Sequence, residues 1–173
     1  MNLKTSAVIL LVPLILVACM STSDQLGPGA TAWSGYKNWY KATPEPNTGD
    51  PTGFLGNRHE GLNAYRDIYV NSIGEPTNRG QQGFPYSEGT IIVKESFNNR
   101  DTYEAQRNPE LTIMVKLAQG TSPQTADWEY ILGAAGSRRG SGESGQAVFC
   151  HSCHTFAAAT DYSFINSHFY AGE

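Results

Sequence analysis

Between residues 63 and 135 the chain runs through four short segments of alternating side chains, and this alternation constrains the fold more than any other feature. "NAYRDIYVN" places Arg66, Ile68 and Val70 on one face and Tyr65, Asp67 and Tyr69 on the other. "EGTIIVKESF" groups Ile92, Lys94 and Ser96 opposite Ile91, Val93 and Phe97. "ELTIMVKLA" puts Leu111, Ile113, Val115 and Leu117 on a single apolar face, and "DWEYILGAA" offers Trp128, Tyr130 and Leu132. A period of two belongs to a pleated strand. Clusters of Gly, Pro, Asn and Ser separate the segments, as turn residues bound strands. The expected fold class is α+β: mainly antiparallel sheet with short flanking helices.

The flanks carry weaker patterns. "AWSGYKNWYKA" repeats Trp33, Tyr36, Trp39 and Tyr40 at helical spacing, which predicts a short amphipathic helix with its rings in the core. "TPEPNTGDPTGFLGN" reads as a long Pro/Gly loop, and "GSRRGSGESG" (residues 136–145) as a flexible loop. There is no internal repeat.

The amino terminus speaks to compartment. Lys4 precedes an apolar run from Ala7 to Ala18, too short for a comfortable membrane span and shaped like a secretion signal. The run ends in "LVAC", the lipobox pattern of bacterial lipoproteins. By that resemblance residues 1–18 are a signal peptide and Cys19 becomes the lipidated first residue. The alternative is an ordinary signal peptide, with Cys19 lost or idle. Residues 19–31 then form the lipidated cysteine and a polar, Gly-rich tether, and residues 32–173 the domain. Met20 after Cys19 lacks the aspartate that retains lipoproteins in the inner membrane. The expected location is the periplasmic side of the outer membrane. Loss of Lys4 leaves eleven basic against sixteen acidic residues, a net charge near −5. An acidic domain is a poor nucleic-acid binder.

Two cysteines remain, in "GQAVFCHSCHTF". Cys150 and Cys153 bracket two residues, His154 follows, and the pentad is expected to open a final short helix. A structural zinc site needs four ligands, and His59, His151 and His168 supply no second pair at matching spacing. A thioredoxin-like dithiol sits in a βαβ unit, and none surrounds this pentad. Covalent haem needs this spacing, with two thiols on one turn and a histidine beside them, and attachment occurs outside the cytoplasm. Cys150 and Cys153 are therefore the expected thioether anchors of one haem c, and His154 the proximal iron ligand.

The other side of the iron is less determined. Met114 lies mid-strand, where methionine most often fills the core; it, His59 or His168 would close the sixth site in an electron-transfer cytochrome. Such proteins are small and helical with the pentad near the amino end. This chain is strand-rich with the pentad near the carboxyl end, which argues for an open site.

"SGYKNWYK", "YRDIYVN", "EGTIIVKE", "FCHSCH" and "TDYSF" occur in the order and rough spacing of the cytochrome P-460 family, which the chain resembles over residues 33–166. The resemblance implies a periplasmic haem protein with an antiparallel sheet packed on the haem. Enzymatic members oxidise hydroxylamine, alone or with nitric oxide, and carry a lysine–haem bond. The c′-beta branch lacks that bond and binds nitric oxide or carbon monoxide under aromatic groups. Lys94 matches the cross-linking position, with Lys116 as second choice. Arg66 matches a distal-pocket arginine that holds polar substrate. Glu143 and Gln146 lie where the family places a distal second-sphere residue, while Phe84, Tyr86 and Phe97 are candidate aromatic caps. The expectation is a hydroxylamine-oxidising cytochrome that passes electrons to a periplasmic electron-transfer protein and is a possible homodimer. The alternatives are a nitric-oxide-binding c′-beta protein and a plain electron carrier.

Overall fold

The structure, a computed structural model, describes residues 26–46 and 65–164. Its centre is a six-stranded antiparallel sheet in which each strand pairs with the next: β1 (Tyr40–Lys41), β2 (Tyr65–Val70), β3 (Ile91–Phe97), β4 (Glu110–Lys116), β5 (Trp128–Leu132) and β6 (Arg138–Gly140). The four alternating segments are the four inner strands. Short helices fill the turns: α1 (Glu75–Asn78) between β2 and β3, and α2 (Arg100–Glu104) between β3 and β4. Asn99 caps α2 through its side chain, accepting from Thr102 N at 2.9 Å.

The alternation gives the sheet two buried faces. On one, Tyr69, Ile91, Val93, Leu111, Ile113, Val115 and Ile131 pack against Trp33 and Tyr36. On the other, Ile68, Val70, Ile92, Met114, Trp128 and Tyr130 pack against Tyr86 and Ala147. The second face receives α3 (Gly145–His154), whose first turn is capped by Ser144 accepting from Ala147 N.

Three local expectations are corrected. The amphipathic helix around Trp33 is two separate 3-10 turns, Ala30–Trp33 and Tyr36–Asn38, followed by β1. Aromatics at positions 33, 36 and 39 fit a three-residue turn as well as a helix, and pairing of Tyr40 with Val70 draws the chain into the sheet. The loop at 136–145 contains β6, because Arg139 forms an ion pair with Glu129 and fixes this edge. A Cβ on Gly140 would meet Ser144 Oγ at 2.0 Å, so this glycine marks a close approach. The pentad closes α3, and a 3-10 stretch (Thr155–Thr160) follows it.

The last residues of the expected tether lie against the sheet. Gly27 N donates to Glu129 Oε2 at 2.8 Å, while Arg139 donates to Gly27 O and Pro28 O, each at 3.0 Å. Residues 1–25, 47–64 and 165–173, with Cys19, His59 and His168 among them, lie outside the described residues.

Candidate functional site

Antiparallel register arranges the α3-facing side of the sheet in rows. Arg66 pairs with Ser96 and Ser96 with Glu110; Ile68, Lys94, Thr112 and Leu132 form the next row; Val70, Ile92, Met114 and Tyr130 the third. Ala147 of α3 is buried against this cluster, with Cys150 and Tyr162 packed beside it. The alternation that separates Lys94 from Glu95 thus brings Lys94, Arg66 and the pentad helix to one side.

Lys94 is partly buried and, among the described residues, makes no hydrogen bond or ion pair. Burial pushes its pKa down to about 8, and the positive charge of Arg66 adds to the effect; Glu110 and Cys150 oppose it. Arg66 is 4% exposed. A partly buried amine whose proton is loosened in this way beside a guanidinium is a candidate nucleophile.

Cys150 and Cys153 lie one helical turn apart and neither forms a disulfide. Burial raises the Cys150 thiol pKa, while its contact with Gln146 and the charge of Lys94 lower it. Gln146 Nε2 sits 3.1 Å from Cys150 Sγ. His154 Nδ1 lies 2.7 Å from Tyr162 O. A carbonyl only accepts, so Nδ1 carries the proton and the lone pair is on Nε2, the tautomer of a metal-binding histidine. His151 Nδ1 is 3.0 Å from the Tyr130 hydroxyl, and burial lowers its pKa. Two thiols on one turn beside a histidine so oriented fit a c-type haem. No group of three or more His, Cys, Asp or Glu able to hold a metal ion occurs among the described residues.

Other sequence candidates fall elsewhere. Lys116 donates to both carboxylate oxygens of Asp161 at 2.8 Å and is held in an ion pair, unlike Lys94. Glu143 is exposed ahead of α3. Gln146 is turned to the Cys150 sulfur. Phe97 lies on the opposite sheet face from Lys94, its ring 5.4 Å from Tyr103. Tyr86 is 2% exposed beneath Trp128, with Phe84 at its edge. Met114 fills the core between Ile92 and Tyr130. The sequence reading missed Glu110, two positions before Thr112 in β4 and therefore on the Lys94 face. Extending the alternation of "ELTIMVK" by one residue would have found it.

An antiparallel sheet with a Cys-x-x-Cys-His helix against one face defines a haem-binding domain of the c type. The chain belongs to the Cytochrome P460 family, whose sequence profile it matches over residues 33–165. It is accordingly a c-type haem cytochrome. Comparison with curated proteins found no match.

Proposed function

We propose that this cytochrome oxidises hydroxylamine, with or without nitric oxide, and that Lys94 bonds to the haem as in the enzymatic branch of its family. The observation that carries the reading is Lys94 itself. It stands on the α3-facing side of the sheet with its pKa near 8, whereas Lys116 is consumed by Asp161.

Cys150 and Cys153 would hold the haem through thioethers, and His154 would ligate its iron on the proximal side. When bound, the haem supplies the iron that binds the substrate nitrogen and takes its electrons. Arg66 supplies a fixed positive charge that holds polar or anionic nitrogen oxides by charge-assisted hydrogen bonds. Hydroxylamine must lose protons as it is oxidised. Glu110, at the exposed end of β4 on the same face, is the carboxylate placed to accept them and pass them to water. Glu143 is the poorer choice because it lies outside this row.

Export and lipidation at Cys19 are proposed on the lipobox alone, with electrons leaving to a periplasmic carrier. Globomycin-sensitive processing and fatty-acid incorporation at Cys19 test that part, and soluble unacylated mature protein refutes it.

The enzymatic reading is tested by tryptic mass spectrometry and by the spectrum of the ferrous protein. Haem traced to two peptides, one holding Lys94, together with a strongly red-shifted Soret band, is the expected result. Lys94→Arg should restore an ordinary c-type spectrum and abolish hydroxylamine oxidation. Haem on the Cys150–His154 peptide alone in the wild type would remove the enzymatic reading and leave nitric oxide binding.

A further inference from the structure

The proximal histidine leans on an unusual piece of backbone. Tyr162 O, which accepts from His154 Nδ1 at 2.7 Å, belongs to the second of two consecutive left-handed residues, Asp161 (φ 52°) and Tyr162 (φ 62°). Neither is glycine, and an L side chain disfavours that conformation. Such a turn persists only where its surroundings over-determine it, and here they do.

Both carboxylate oxygens of Asp161 accept from Lys116 Nζ at 2.8 Å, and Oδ2 accepts also from Tyr86 N at 2.8 Å. Asp161 O accepts from Trp128 Nε1 at 2.8 Å, and Asp161 N donates to Ala158 O at 3.2 Å. Lys116 in turn donates to Ala126 O at 2.8 Å and rests 4.9 Å above the Trp128 ring. Lys116 and Asp161 are 8% and 7% exposed, so the pair is screened little by water. These bonds run from the ends of β4 and β5 to the one turn that carries the histidine's acceptor.

We infer that Lys116, Asp161 and Trp128 form a clamp that sets the Tyr162–His154 hydrogen bond, and through it the donor strength of His154 toward the haem iron. They are positioning residues: the clamp acts through the Tyr162 carbonyl. A strong bond at Nδ1 gives the ring imidazolate character, strengthens the iron–nitrogen bond and favours ferric iron. The inference rests on His154 being the proximal ligand.

The test is resonance Raman spectroscopy of the ferrous holoprotein, reading the iron–histidine stretching band, with the midpoint potential measured on the same samples. Wild type is compared with Asp161→Asn, Trp128→Phe and a control, Arg139→Met. Asparagine tolerates the left-handed region, so Asp161→Asn removes the charge without forcing the turn. Trp128→Phe removes the Nε1 donor together with part of a fully buried ring, keeps an aromatic face beneath Lys116, and decides the matter if Asp161→Asn fails to fold. Both variants should lower the band frequency and raise the midpoint potential. Arg139→Met breaks a buried ion pair on the other face and should move neither. An unmoved band in the folded variants, or an equal shift in the control, overturns the clamp. A ferrous wild-type protein whose iron is five-coordinate and yet shows no iron–histidine band overturns the His154 assignment, and the clamp with it.

Discussion

The two faces of the sheet bury charge in opposite ways. On the Trp33 side lie three carboxylates, Asp67, Glu95 and Glu129, each no more than 2% exposed. Each has a basic partner: Lys41 at 2.9 Å, Lys37 at 3.0 Å and Arg139 at 2.5 Å. Glu95 also accepts from the hydroxyls of Tyr36 and Tyr69. On the α3 side lie the bases Arg66, Lys94 and Lys116, of which Lys116 is paired with Asp161. Only alternation separates the two sets, since Arg66 precedes Asp67 and Lys94 precedes Glu95. The acidic face is compensated charge by charge and serves to hold the fold. The basic face sets Lys94 beside a like charge, and that mismatch marks it as a place for chemistry.

Removing one partner on the acidic side should have the largest effect on stability. Arg139→Met strands Glu129 in a site that water does not reach, and should cost about 3–5 kcal/mol in denaturant unfolding. The ferrous spectrum should stay unchanged; a spectral change of the size seen on removing Lys94 would break the division between faces.

On the basic side, Glu110→Gln should slow hydroxylamine turnover by roughly 100-fold with little change in stability. Turnover within twofold of wild type would remove Glu110 from the proton path.

A smaller effect concerns pH. Folding lowers the Lys94 pKa below its value in an unfolded chain, so the neutral, nucleophilic amine grows as pH rises through about 8. Formation of the second haem bond, in which an N–H and a haem C–H bond are lost and two electrons pass to added peroxide, should therefore accelerate across that range in freshly matured protein supplied with that oxidant. Before the bond forms, the folded chain should also gain stability from about pH 8 up to the unfolded value, because the unfolded state binds more protons there. Arg66→Gln removes the repelling charge and should move the bond-formation profile to higher pH, slowing it a few-fold at pH 8. A profile identical to wild type would show that burial alone sets the amine.

The smallest effect is expected at Glu143, where Glu143→Gln should leave turnover within twofold. A large loss would return the proton path to the loop before α3.

How much of this was legible in the sequence depends on range. The inner strands follow from a local period of two and were readable, whereas the shared face of Arg66 and Lys94 comes from the register between two strands, which neither segment shows alone. The edge strands were not: β1 has two residues and β6 three, too short to show a period, and both exist because a longer neighbour offers its hydrogen bonds. Glycines at 136–145 suggest flexibility in the sequence, whereas Gly140 is required by its close approach to Ser144. Glu143 drew attention by its nearness to the pentad along the chain, whereas Glu110 is close to Lys94 only through register. Nothing local announced that Lys116 would meet Asp161, a residue 45 positions away.

The grip of Arg139 and Glu129 on Gly27 has a consequence for reach. If Cys19 is acylated, the leash from lipid to the gripped point is only Met20 to Leu26. Seven residues at full stretch extend about 25 Å, comparable to the width of a small domain. Such a leash would cap how far the domain could stand from the bilayer, so a carrier collecting its electrons would meet it near the lipid headgroups.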